Sequence, residues 1–195
     1  MTESTVTRLR QAILDKRRLL SYIEENLANE ITVCSRIVLD CLLNKNSIFW
    51  CGNGGSASDC EHLSAELTGR FKIERNPYKS ISLTSNSASM SSVANDYSFD
   101  VVFSRQVQAL CQANDVLICL STSGNSKNVL NAINQAKSQG VRTICLIGNN
   151  GGSMAGRGDH EIIIPSNDTA RVQECQMFIG HLICEVVEAE LSTND

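Results

Sequence analysis

Val116-Leu-Ile-Cys-Leu-Ser121-Thr-Ser-Gly-Asn-Ser126 is a short apolar run that breaks into hydroxyl-rich residues, and a helix-compatible stretch, Ser126–Gln139, follows at once. The run is too short for a helix and is rich in β-formers, so it reads as a buried strand feeding a helix N-terminus. Similar apolar runs occur at Ile48–Cys51, Ile81–Leu83, Thr143–Ile147 and Glu161–Ile164. Between and after them lie helix-compatible segments, Ser56–Leu67, Ser126–Gln139 and Thr169–Leu191. Strands that are apolar throughout and alternate with helices belong in a mostly parallel sheet covered on both faces. The pattern predicts an α/β chain, a three-layer αβα sandwich around five strands. Such sheets bind ligands at the carboxyl ends of their strands.

Upstream of the first strand, Val6, Leu9, Ile13, Leu20, Ile23 and Leu27 follow a 3-4 spacing broken only by Lys16, and Ile31, Cys34, Val38, Cys41 and Leu42 continue it. The spacing predicts an N-terminal helical hairpin. Its narrow seam could pack on its own domain, but a coiled-coil-like seam favours helices of a sister chain. We therefore expect one domain over residues 1–195, with 1–45 as oligomerisation helices. The length suits a single sizeable core.

Composition narrows the function classes. The net charge of −4 is spread along the chain and aromatics are 5% of the residues, which gives no reason to expect nucleic-acid binding. Met1 to Asp15 has no basic n-region followed by an apolar h-region, and no apolar run approaches the roughly 20 residues of a membrane span. The nine cysteines include no C-x-x-C pair and several sit in apolar runs (Cys119, Cys145, Cys184), as expected of reduced thiols acting as small hydrophobes. These features predict a cytoplasmic protein without a membrane association.

Two strand-to-helix turns could hold an anion. The first, Cys51-Gly-Asn-Gly-Gly-Ser-Ala57, fits the loose dinucleotide pattern, but the second strand ends in Thr84-Ser-Asn-Ser87 without the carboxylate a ribose needs. A nicotinamide site is thereby excluded, leaving a turn able to approach a small ligand closely. The second turn gathers the hydroxyls of Ser121, Thr122, Ser123 and Ser126 at a helix N-terminus, where backbone N–H groups and the helix dipole favour an anion. One serine would suffice for a helix cap. Without a Gly-Lys-Ser/Thr, a monophosphate fits better than a nucleoside triphosphate.

His62 and Glu66 stand four apart on the helix after the first turn, a spacing that serves zinc chelation, acid–base work or a plain surface ion pair. His181 lies on the last helix among Phe178, Ile179 and Leu182, with Gln173 and Glu174 upstream. An isolated histidine on such a helix is commonly a core residue.

Taken together, Cys51-Gly-Asn-Gly-Gly-Ser56, His62-x-x-x-Glu66-Leu-Thr-Gly-Arg70, Asn95-Asp96, Ser121-Thr-Ser-Gly-Asn-Ser126 and Asp168-Thr-Ala-Arg-Val-Gln173-Glu174 resemble the bacterial phosphoheptose isomerases. These are sedoheptulose 7-phosphate isomerases of the sugar isomerase (SIS) fold, and the resemblance runs in order over nearly the whole chain. It implies conversion of D-sedoheptulose 7-phosphate to D-glycero-D-manno-heptose 7-phosphate through an enediol, the first step toward ADP-heptose and the lipopolysaccharide core. It also implies a homotetramer with interfacial active sites and a Zn2+ cofactor. By motif position the metal ligands would be His62, Glu66, Gln173 and His181, and Glu66 and His181 the acid–base pair. Asn53, Gly54, Gly55, Ser56, Glu66, Asn95, Asp96 and Gln173 would contact the sugar, and Ser121, Thr122, Ser123 and Ser126 its phosphate. Ala170 stands where some members have aspartate, so no role is expected there.

Gln173 and His181 are eight residues apart, about 12 Å along a helix, so we expect either that this pair faces His62 and Glu66 of another subunit or that the two residues serve different copies of the site. The alternative function is a non-catalytic SIS-fold protein associating with the replication initiator. Such a protein would need the phosphate turns but not a complete acid–base set.

Overall fold

A computed structural model describes residues 3–192, so both extremes of the 1–195 domain assignment lie outside the described residues. The five strands are β1 (Ile48–Cys51), β2 (Ser80–Ser82), β3 (Val116–Ser121), β4 (Arg142–Ile147) and β5 (His160–Ile163). They form one sheet in the order β2-β1-β3-β4-β5, every neighbouring pair parallel. Successive strand residues point to opposite faces, so the sheet builds two cores. Trp50, Ile118, Ile144, Leu146 and Ile162 face one layer of helices, while Phe49, Leu117, Cys119, Cys145 and Ile147 face the other.

The first layer holds α1 (Glu3–Asn26), α2 (Ala28–Leu43), α3 (Gly55–Thr68) and α7 (Thr169–Ser192). The second holds α4 (Ser87–Asp96), α5 (Val102–Leu110) and α6 (Lys127–Ser138), with a 3-10 turn, Phe99–Val101, leading into α5. The sequence reading left residues between β2 and β3 without helices. No residue of α4 is fully buried, so it lacks the wide apolar stripe that marks a helix; it starts instead on the Asn86 side chain, which accepts from the Ser89 N–H at 3.0 Å.

The two N-terminal helices are present, but they do not fold back as the expected hairpin. One residue, Leu27, joins them, and its N–H still donates to Ile23 O while its carbonyl accepts from Ile31 N–H. An antiparallel helix pair needs a loop of 2–5 residues, so α1 runs into α2 through a bend. The seam divides within α1, between Ile13 and Leu19. Leu19, Ile23, Leu27 and Ile31 are buried within the chain, whereas Val6, Leu9 and Ile13 are exposed.

All nine cysteines are buried and unpaired. Burial pushes the thiols of Cys34, Cys41 and Cys184 up to about 12, so they pack as neutral groups. Among the described residues no helix is long and apolar enough to cross a membrane.

The edge strand β5 is tied to β4 by Asp159, whose carboxylate accepts from the N–H and hydroxyl of Thr143 at 2.8 and 2.7 Å. Burial works against its charge, but Thr143 and Lys137 outweigh it and hold the carboxyl below its ordinary value. A depressed carboxyl stabilises the fold above the ordinary carboxylate range and loses that contribution as pH falls through the folded value. Asp159→Asn should therefore lower the denaturant midpoint at pH 7, and the gap from wild type should close as the pH is taken below about 4. A gap independent of pH would assign the tie to packing alone.

Candidate active site

At β1 the chain reverses its direction across the sheet. β2 lies on one side of β1 and β3 on the other, so a crevice opens between the carboxyl ends of β1 and β3. Both anion-competent turns sit there. After β1, Gly52-Asn53-Gly54 leads into α3, and Gly54 takes φ +56°, a left-handed conformation that glycine adopts without strain. After β3, Ser121 to Ser126 leads into α6. Its hydroxyls knit the loop: Ser121 Oγ accepts from Gly124 N–H at 3.1 Å and shares a 3.1 Å bond with Ser126 Oγ. Ser123 Oγ accepts from Asn125 N–H. Ser126 precedes α6 but makes no side-chain capping bond, so its hydroxyl is not spent as a helix cap. The turns are joined by a reciprocal amide pair, Asn53 Nδ2 to Asn128 Oδ1 at 2.8 Å and Asn128 Nδ2 to Asn53 Oδ1 at 2.9 Å.

The sequence reading missed Asn128, and it missed the brace beneath the second turn. Gly124, at φ +68°, lies directly against Gly151 and Gly152, and Asn125 Oδ1 accepts from both the N–H and the hydroxyl of Ser153. The Asn-Asn-Gly-Gly-Ser run after β4 was a visible turn signal. What could not be read was which loop it would support.

Further along the helix that the first turn opens, α3 and α7 bring His62, Glu66 and His181 together. His62 Nε2 lies 3.1 Å from Glu66 Oε1 and 2.9 Å from His181 Nε2. One ligand atom from each of the three falls within 4.8 Å of the others. His181 thus meets its own chain's His62 and Glu66, which corrects the first of the two expectations, that the Gln173 and His181 pair would face those residues of another subunit. Its eight-residue distance from Gln173 is absorbed because Gln173 works one step further along α3: its Nε2 donates to Asp59 Oδ1 at 3.2 Å, and its amide rests on Gly55, where any Cβ would collide with it. Asp59 and His62 are three apart and share a helix face, a spacing that could have exposed Asp59 as a partner.

Phe71 stacks on the His181 ring with centroids 5.4 Å apart and planes at 21°. Burial lowers the affinity of His181 for a proton, with the neighbouring His62 and Lys72 acting in the same sense and Glu66 against them, which favours an imidazole with a lone pair to offer. Asp59 is raised, chiefly by burial, and its Oδ2 is buried without a partner. Asp59, Gln173 and His181 line a cavity of about 710 Å³, with Lys16 and Phe178 on its wall. Two imidazoles and a carboxylate converging on one point are a donor set that suits a divalent metal of the zinc type. The arrangement can therefore hold a metal, move protons, or do both.

Asn95 and Asp96 are not brought to this cluster. They end α4 in the opposite layer, exposed, with Asn95 Nδ2 donating to Asp96 Oδ1 at 2.8 Å.

The SIS-domain family model matches residues 14–148. The chain is 47% identical to the phosphoheptose isomerase of Campylobacter concisus, over 84% of this chain and 86% of that protein. It is 41% identical to the phosphoheptose isomerase of Helicobacter pylori strain Shi470, over 96% and 97% of the two chains. Among solved structures it superposes on the phosphoheptose isomerase of Neisseria gonorrhoeae with a TM-score of 0.89 and 34% identity, covering 95% of this chain and 99% of the other. The phosphoheptose isomerase of Francisella tularensis superposes with a TM-score of 0.92 at 29% identity, covering 97% and 100%.

His62 and Glu66 can reach His181 because Gly180 lets α7 lie against α3: a Cβ there would strike the side chain of fully buried Leu63. Gly180→Val is expected to cost roughly 1–3 kcal/mol by overpacking and to weaken metal uptake, read by denaturation and by zinc titration. A variant with wild-type values in both would show that the approach of the helices has slack.

Proposed function

The chain belongs to the phosphoheptose isomerases of the SIS-domain family, and from that premise we propose that it isomerises D-sedoheptulose 7-phosphate to D-glycero-D-manno-heptose 7-phosphate, the step that leads toward ADP-heptose and the lipopolysaccharide core. The observation that carries this reading is the convergence of His62, Glu66 and His181 where α7 packs on α3, the helix that the first turn opens. A binding module has no use for such a cluster, and the relatives matched are isomerases, so the replication-initiator alternative is not favoured.

Aldose–ketose isomerisation removes a proton beside a carbonyl and returns it to the neighbouring carbon. It needs a base, an acid and stabilisation of the enediol oxygens. Glu66 and His181 share the acid–base work, burial lowering the affinity of His181 for a proton while Glu66 raises it. Zn2+ is the cofactor in this reading, with His62, Glu66, Gln173 and His181 as ligands. Gln173 already gives its amide nitrogen to Asp59, which leaves its carbonyl oxygen for the metal. The bound ion would supply Lewis acidity at the sugar's carbonyl. Ser121, Thr122, Ser123 and Ser126 take the phosphate, and Asn53, Gly54, Gly55 and Ser56 the sugar hydroxyls. Asn95 and Asp96 also contact the sugar in this reading, which places the site at a subunit interface.

The protein is a cytoplasmic homotetramer in the same reading, one domain over 1–195 with residues 1–45 as its oligomerisation helices. Leu9 and Ile13 support this, being 55% and 60% exposed on a helix whose later seam residues are buried. Ile13→Asp combined with Leu9→Asp should shift the mass measured by light scattering below that of wild type. An unchanged mass would remove α1 from the interface.

Wild-type protein supplied with zinc should convert D-sedoheptulose 7-phosphate to an aldose phosphate, and His181→Ala should lose about 10²- to 10⁴-fold in kcat. No turnover by zinc-loaded, intact wild type would overturn the isomerase reading.

A further inference from the structure

Behind the cluster, and outside every motif assigned above, lies an ion pair with both side chains only 2% exposed: Arg75 Nε to Glu188 Oε1 at 3.0 Å. Burying two charges is costly unless each is fully satisfied, and here each is. The Glu188 carboxylate accepts three successive backbone N–H groups as well, from Phe71 at 2.9 Å, Lys72 at 2.6 Å and Ile73 at 3.0 Å. Arg75 donates to the last carbonyls of α3 and just beyond, Glu66 O at 2.7 Å, Leu67 O at 2.9 Å and Gly69 O at 2.9 Å. The final carbonyls of a helix have no partner within it, so Arg75 caps α3 from the side while Glu188 anchors the following segment to α7.

Both ends of this clamp reach the reacting groups. Its guanidinium holds the backbone of Glu66 itself. Its carboxylate holds the backbone of Phe71, whose ring stacks on His181. Glu188 and His181 share α7, seven residues apart, which is close to two turns and one face. We propose that Arg75 and Glu188 are positioning residues of the isomerase site, which fix Glu66 relative to His181 and press the Phe71 ring onto the His181 imidazole. Neither touches the cluster directly, and each acts through a named bond. The inference rests on the isomerase reading for its kinetic arm and on the metal-ligand cluster for its binding arm.

The test uses the full-length protein with Glu188→Gln, which keeps the shape and removes the charge, and Phe71→Leu, which leaves the clamp whole and removes the stacked ring. Each is measured for kcat and KM with D-sedoheptulose 7-phosphate, and for zinc affinity by competition against a chromogenic chelator. Both variants should lose roughly tenfold or more in kcat with KM within about twofold, the pattern of groups held imperfectly for the transition state, and both should bind zinc more weakly. A folded Glu188→Gln protein with wild-type kcat and zinc affinity would overturn the proposal. Should Glu188→Gln fail to fold, Phe71→Leu decides: wild-type kcat and zinc affinity there overturn it equally. If wild type itself shows no turnover, the isomerase reading has failed instead, and the zinc arm alone judges the positioning role.

Discussion

Helices α3 and α7 lie against each other in the layer that covers one face of the sheet, and the site is assembled from what that contact permits. Gly180 gives the room, Leu63 fills it, and the facing side chains then meet in pairs along the two helices. Gln173 finds Asp59, and His181 finds His62 and through it Glu66. Further along, Glu188 ties α7 to the segment after α3. No single pair is strong, but all depend on one interhelical spacing, so they rise and fall together.

The two strand-to-helix turns and the His62, Glu66 and His181 cluster are built differently. The turns are backbone structures: N–H groups, hydroxyls and glycines with positive φ, set by the ends of parallel strands. The cluster is a side-chain structure, set by packing in the helical layer. Gln173 on Gly55 is where the two meet, since the amide rests on the turn while its partner Asp59 belongs to the helix. A shift of α7 would disturb the histidine cluster and the first turn at once.

The sheet was legible because buried parallel strands are short, apolar throughout and bounded by turn residues. Val116–Leu120, Ile48–Cys51 and Thr143–Ile147 each fell within a residue of the observed strand. The residues of the cluster were legible only through family resemblance. By spacing alone His62 and Glu66 read equally well as a surface ion pair, and His181 as a core histidine. What the sequence hid is long-range. Nothing local in Arg75 or Glu188 announces a buried pair separated by 113 residues, and no periodicity marks α4, whose side chains bury nothing completely. The helix bend at Leu27 was hidden for a related reason. A 3-4 seam continues through a bend and a hairpin alike, and only the retained hydrogen bonds to Ile23 and from Ile31 tell them apart.

The charge distribution around the site carries the last step. The serine turn holds no lysine or arginine, and Lys127, the cation nearest it in sequence, is paired with Asp100. What the turn itself offers an anion is therefore N–H groups and hydroxyls already fixed by its own hydrogen bonds. Fixed dipoles cost no reorganisation when the ligand binds. In the proposed function, binding energy gathered there, away from the reacting carbons, would hold the sugar against Glu66 and His181. For this to work, the far end must be as rigid as the anchor. The imidazole of His181 is confined by Phe71 on one side and His62 on the other, and Glu66 is confined through its own carbonyl by Arg75. Rigidity at both ends allows weak dipoles to serve where a flexible site would need opposing charges.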